Sequence, residues 1–223
     1  MTEIIPAVIP PNLNLLRETF SRVLGFAKKV QMDVVDGHYA PVTTWPFGPH
    51  QMDELLLMVR GEERFPFIND LDFEIDMLVL HPVEYLTDFI SIGAKGIVIH
   101  MDSTDHVKIC LETIKNAGCE AGLGIKPSGR MEDLLSFLPL VDFVQFMGSD
   151  KVGFNGVDLD EKVLPIITEF HRSHRSVPIQ VDIGVNFETA PKLIEAGVSR
   201  LVSGSAIFNG EDVKQNMARL ANS

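Results

Sequence analysis

Hydrophobic positions in this chain come in short unbroken blocks separated by longer stretches of mixed character. Runs rich in Val, Ile and Leu occupy residues 4–9, 29–35, 71–79, 96–101, 120–126, 142–147, 178–182 and 200–203. They stay apolar on successive positions, as strands do when a parallel sheet is covered on both faces. The stretches between them carry helical spacing. Leu13, Leu16, Phe20, Val23 and Leu24 mark one apolar stripe. Leu111 and Ile114 lead to a stop at Gly118, and Leu193 and Ile194 to a stop at Gly197. Eight strands alternating with helices predict an α/β fold closed into a (β/α)8 barrel; a doubly wound open sheet shares the same local grammar. No GxGxxG follows the first run, which counts against the open dinucleotide-binding sheet. Nothing rich in Ser and Gly divides the chain, so residues 1–223 read as one domain.

Composition supports a packed core and narrows the partners. The 223 residues are 45% hydrophobic and 22% charged, which suits one barrel and excludes a disordered chain. Nineteen Lys and Arg stand against 31 Asp and Glu, a formal net charge of -12 with no basic run. Such a surface repels nucleic acid and anionic lipid. No stretch offers about 18 uninterrupted apolar residues, so no membrane span is expected. Cys110 and Cys119 form neither a CxxC pair nor a metal-ligand spacing. Free thiols and an N-terminus without a basic, then apolar, leader pattern point to a reducing, cytoplasmic setting.

Candidate chemistry collects where the apolar runs stop. The second run carries Gln31 and Asp33, the third Asp76, and the fourth ends at His100. The fifth ends at Lys126, the seventh at Asp182, and the eighth at Ser203-Gly204-Ser205. A charge on a strand buried on both faces is costly unless it is paired, bound to metal or at a wet mouth. Several at the same end of successive strands predict one shared pocket. Asp33, Asp76 and Asp182 could bind a divalent cation, or two of them could face each other as acid and base.

The last two runs end in glycine turns, Asp182-Ile183-Gly184-Val185 and Ser203-Gly204-Ser205-Ala206. Glycine lets backbone N–H groups approach an anion, and the loops after strands 7 and 8 are the habitual phosphate site of barrels. Gly153-Phe154-Asn155-Gly156 is placed to close over the same group. Two connections, 36–50 and 148–158, are long enough to be lids.

Four segments taken together resemble a known family. They are Met32-Asp33-Val34-Val35-Asp36-Gly37-His38-Tyr39-Ala40-Pro41, Gly122-Leu123-Gly124-Ile125-Lys126-Pro127, Val181-Asp182-Ile183-Gly184-Val185, and Glu195-Ala196-Gly197 continuing to Val202-Ser203-Gly204-Ser205-Ala206-Ile207. They look like the signatures of ribulose-phosphate 3-epimerases, collinear over essentially the whole chain. The resemblance implies a TIM barrel, a phosphorylated ketose ligand and a homo-oligomer. It also implies that Asp33 and Asp182 remove and return the proton at C3 through an enediolate. Gly153, Gly156, Gly184, Gly204 and Ser205 would hold the phosphate, and Met147, matching a family methionine, would line the pocket, with plain barrel packing as its other reading. His100, at the end of the fourth run, either touches substrate or is a hydrogen-bonded core histidine.

The family's metal is held by those two aspartates and two histidines, whose positions here are Gln31 and Asp76. A metal set of Gln31, Asp33, Asp76 and Asp182 is all oxygen, which favours Mg²⁺ or Mn²⁺ over Zn²⁺. The family's strand 1 serine is Ala7, its paired glycines are Ile183-Gly184, and the phosphate loop lacks its preceding proline. Lys126 is the candidate electrostatic partner if no metal binds. His38 and His50 are expected in solvent, with a swing inward as replacement ligands as the other reading. Trp45 is expected to be a subunit contact or a lid anchor. The leading reading is an epimerase-like isomerase. The alternatives are a phosphosugar-binding barrel acting as sensor or scaffold, and a lyase or decarboxylase. The last ranks lowest, because Asp33-Val34-Val35-Asp36 lacks the lysine of the related decarboxylases' Asp-x-Lys-x-x-Asp run.

Overall fold

The computed structural model describes residues 2–210 and 212–223. Strands and helices alternate in the predicted order. They are β1 (Glu3–Val8), α1 (Leu13–Ser21), β2 (Lys29–Val35), α2 (Met52–Val59), β3 (Asp72–Leu78), α3 (Leu86–Ser91), β4 (Gly96–His100) and α4 (Val107–Asn116). Then come β5 (Glu120–Ile125), α5 (Met131–Leu135), β6 (Phe143–Met147), α6 (Val163–Ser173), β7 (Ile179–Asp182), α7 (Ala190–Glu195), β8 (Arg200–Ser203), α8 (Ser205–Phe208) and α9 (Val213–Ala221). Each strand pairs in parallel with its successor, and β8 returns to β1, closing the barrel.

Local rules account for the ends of these elements. Asn12 caps α1 by accepting the Leu15 N–H at 3.0 Å, and Leu13, Leu16 and Phe20 turn its apolar stripe inward. Gly118 and Gly197, after α4 and α7, take positive φ of 77° and 106°, the left-handed stop that glycine adopts without a Cβ penalty.

Alternation along each strand sorts the barrel into an outer and an inner face. Val30, Met32 and Val34 of β2 join the core between strands and helices, as do Ile75 of β3 and Ile97 and Ile99 of β4. The intervening positions fill the lumen, and their register stacks them in layers. Gln31 pairs with Glu74, and Gln145 with Gln180; one step further, Asp33 pairs with Asp76, and Met147 with Asp182. A barrel interior usually holds branched aliphatics. Here the first of these layers is wholly polar and the second carries three carboxylates beside Met147, all buried. Glycine makes the room: a Cβ on Gly124 would lie 2.5 Å from His100 Nδ1, and one on Gly122 2.5 Å from Phe143.

Above these layers lies a small apolar cluster. It joins Val35, Leu78 and Met147 to Ala40 and Val152 of the two long loops. The loops touch there: a Cβ on Gly153 would stand 3.0 Å from Val42 and 3.2 Å from Ala40.

Trp45 departs from one of its two expectations, the exposed subunit contact. It is fully buried, packs against Phe65 and Phe89, and donates its indole N–H to Glu54 at 2.9 Å. Its backbone N–H also reaches Pro10 O at 2.9 Å. It is a core residue that anchors loop 36–50, the second of the two expectations, and it is not exposed for a subunit contact. His38 and His50 are exposed, as expected.

Candidate functional site

Three strands deliver three carboxylates to one point. Asp33, Asp76 and Asp182 each place an oxygen within 4.8 Å of the others. They are 5%, 0% and 9% exposed, so water screens their repulsion poorly. Among the described residues, no Lys or Arg nitrogen lies within 4.0 Å of any of them. Lys126, the candidate electrostatic partner, is occupied elsewhere. Its ammonium bonds Asp102 at 2.9 Å and lies 4.1 Å over the Tyr39 ring.

The three acids have different surroundings. Both oxygens of Asp76 are engaged: Oδ1 lies 2.7 Å from His100 Nε2, and Oδ2 accepts from Gln145 Nε2 at 2.9 Å. Asp33 Oδ1 is buried with no partner. Burial, reinforced by the charges of Asp182, Asp76 and Glu74, pushes the Asp33 carboxyl well above the usual carboxylate range. Burial and the Asp76 charge push Asp182 up to about 7, against a backbone hydrogen bond from Ile183 that favours the anion. An unpartnered carboxylate oxygen beside two further carboxylates is a donor set for a proton or for a hard divalent cation. The residues therefore fit such a cation.

Gln31 enters this picture from one layer below. Its amide N–H groups donate to Glu74 Oε1 at 2.9 Å and Gln145 Oε1 at 3.0 Å, while its own Oε1 has no partner.

The anion side of the site assembles as the turns suggest. Gly153, Gly156, Gly184, Gly204 and Ser205 line one cavity of about 110 Å³, whose wall also includes Asp33 and Asp182. No Lys or Arg lines it. Gly184 has φ of 72°, and a Cβ there would stand 2.5 Å from Leu159 N, so only glycine fits. Ile183 beside it also takes a positive φ of 72°, a strained conformation for a β-branched residue.

His100 and Met147 take the second of their two readings, a hydrogen-bonded core histidine and apolar packing. His100 is fully buried behind Asp76, its ring 5.5 Å from that of Tyr39, and it does not line the cavity. Met147 packs in the apolar cluster between the loops and accepts a 3.3 Å hydrogen bond from Gln145. Both border the carboxylates from behind.

The sequence reading missed Glu74, Gln145 and Gln180, which join Gln31 in a buried network below the carboxylates. It also missed Asn155 as a lining residue in its own right, and Asn186 and Asp158 of the cavity wall. A signal was present for the network. Gln31, Glu74, Gln145 and Gln180 stand two residues before Asp33, Asp76, Met147 and Asp182, which is the same face of a strand.

Comparison with known proteins gives a consistent picture. A model described as the ribulose-phosphate 3 epimerase family matches residues 3–208. The ribulose-phosphate 3-epimerase of Bacillus subtilis (strain 168) is 29% identical over an alignment covering 100% of both chains. The chloroplastic ribulose-5-phosphate-3-epimerase of Arabidopsis thaliana is 30% identical over 93% of this chain and 72% of that protein. Among solved structures, a mutant tryptophan synthase alpha-subunit from Pyrococcus furiosus aligns over 100% of both chains with a TM-score of 0.68 at 15% identity. A thiamine phosphate pyrophosphorylase from the same organism aligns over 99% of this chain and 94% of that one, with a TM-score of 0.62 at 17% identity. At such identities the structural likeness concerns the fold alone.

Proposed function

The chain belongs to the ribulose-phosphate 3-epimerase family, and from that premise we propose that it epimerises a ketose phosphate at C3, with Asp33 and Asp182 as the proton-transfer pair. One observation carries this reading: the two carboxyls line the same cavity, buried, and among the described residues no Lys or Arg pairs with them. Burial and repulsion raise both, so that near neutral pH they can hold one proton between them. An ionised carboxylate on one face of C3 takes the C3 proton. The C–H electron pair then moves toward C2, and the C2 carbonyl becomes an enediolate oxygen. The protonated partner on the other face returns its proton to C3 as the carbonyl re-forms, inverting the centre. The two residues exchange roles for the reverse reaction.

The phosphate fits the glycine-lined end of the cavity. Backbone N–H groups at Gly184, Gly204 and Ser205, with the Gly153–Gly156 loop above, supply neutral donors, which suits an anion in a wall without Lys or Arg. A divalent cation would be held by Asp33, Asp76 and Asp182, within reach of the layer where Gln31 Oε1 lies unpartnered, and would supply charge stabilisation for the developing oxyanion. The all-oxygen set favours Mg²⁺ or Mn²⁺.

A second reading, a barrel that binds phosphosugar without turning it over, draws on Gln31 and Asp76 standing where the resembled family carries histidine ligands. The Asp182→Asn variant separates the two. The epimerase reading expects it to lose exchange of the ligand's C3 proton with D₂O by a factor of 10² or more, of the order a general acid–base group contributes, while phosphate-ligand affinity stays nearly intact. If the unmodified protein exchanges no C3 proton from pentulose or hexulose phosphates, with Mg²⁺, Mn²⁺, Fe²⁺ or Zn²⁺ supplied, the binding reading replaces it.

A further inference from the structure

The hydrogen bonds below the carboxylates run in one direction, and that direction can be derived. Glu74 Oε1 is fully buried in the lumen and is an acceptor whether Glu74 is ionised or protonated on its other oxygen. It receives the Nε2 groups of Gln180 at 2.6 Å and of Gln31 at 2.9 Å. Turning either amide over would set a carbonyl oxygen against Glu74 Oε1, so both amides must present nitrogen. Each nitrogen has a second hydrogen. Both second hydrogens go to Gln145 Oε1, at 2.7 Å and 3.0 Å. With its oxygen committed to two donors, Gln145 must turn its own nitrogen the other way. That nitrogen reaches Asp76 Oδ2 at 2.9 Å and Met147 Sδ at 3.3 Å.

The geometry points to Gln145 as a positioning residue: oriented by Glu74 through Gln31 and Gln180, it clamps Asp76 from below so that this carboxylate faces Asp33 and Asp182 in a single orientation. His100 secures the other oxygen at 2.7 Å. Asp76 is thereby the fixed member of the trio, whereas Asp33 keeps an uncommitted oxygen. The polar lumen layer, in place of aliphatic filling, has a function on this account: it supports a ligand that is a carboxylate. Groups that hold a metal ligand's orientation commonly matter 10–100-fold in metal affinity when removed.

This inference rests on the reading of the three carboxylates as a cation-holding reactive centre, and Mn²⁺ alone tests it by titration calorimetry on the full chain. Gln145→Met keeps the length and volume but removes both the donor and the acceptor. Glu74→Met is of similar length, touches none of the three carboxylates, and removes the acceptor that orients the amides. Both variants should bind Mn²⁺ 10–100-fold more weakly at a temperature where each is fully folded, although the orphaned amide hydrogens lower their melting temperatures in EDTA. An affinity loss seen only where the variants are partly unfolded, an unchanged isotherm in both variants, or failure of both to fold would each reduce the network to packing and overturn the assignment. If the unmodified chain takes up no Mn²⁺, the cation-holding part of the proposed function falls with it; an unchanged isotherm in the variants overturns the role of Gln145 alone.

Discussion

Asp182 shows most directly how one residue ties the site to the stability of the whole. Its carboxyl is raised from 3.8 to about 7 by burial and by the Asp76 charge. Between those values the folded chain holds a proton that the unfolded chain has released. The contribution of this group to stability is therefore fully present below about pH 4 and is lost as pH rises through about 7. Asp182→Asn, which has nothing to titrate, should show a flatter profile. Melting curves in EDTA from pH 4 to 8 should bring the unmodified chain progressively below the variant toward the alkaline end. Parallel profiles would mean that Asp182 is ionised throughout. The clustered carboxylates were legible in the sequence because an acid inside an otherwise apolar run is conspicuous. Their different surroundings were not, since the clamp on Asp76 comes from residues 24 and 69 positions away.

At the scale of elements, unbroken apolar runs gave the strands to within a residue or two, and glycine stops gave the ends of α4 and α7. Periodicity reports which face is apolar and not what fills the lumen. The Gln and Glu layer was hidden because each member sits between two apolar neighbours that face the helices, two positions before the residue that marks the site. The burial of Trp45, against an exposed subunit contact, was hidden for a related reason. Its neighbours Thr43, Thr44 and Pro46 have the composition of a surface loop, and only the packing of that loop against Phe65 and Phe89 buries it. Trp45→Ala should cost about 3–5 kcal/mol in denaturant unfolding, the range for a large aromatic removed from a core. A loss under about 0.5 kcal/mol, as at an exposed position, would restore the surface reading. The two long loops meet over the carboxylates through Val42 and Gly153, and the apolar cluster they complete with Val35 and Met147 helps to exclude water from the acids.

At the scale of the molecule, the barrel converts a chain order into a convergence: β2, β3 and β7 bring three acids together that are 43 to 149 positions apart in sequence. The hydrogen bonds of Gln145, His100 and the Ile183 backbone offset part of that repulsion, and a proton or a cation would offset the rest. Mn²⁺ or Mg²⁺ at about a hundredfold excess over its dissociation constant should raise stability by about 2.7 kcal/mol by mass action. Chelation should reverse the gain. Because protons compete for Asp182, cation affinity should weaken as pH falls below about 7; an affinity independent of pH from 5 to 8 would place the ion elsewhere.

The most direct test follows isotope rather than product. A pentulose phosphate incubated in D₂O with the purified chain and Mn²⁺ should gain one deuterium, at C3, in both epimers, as seen by mass spectrometry and by loss of the C3 proton resonance. Interconversion of the epimers without solvent deuterium, or no uptake with any of the four metals supplied, would contradict proton transfer between Asp33, Asp182 and the sugar.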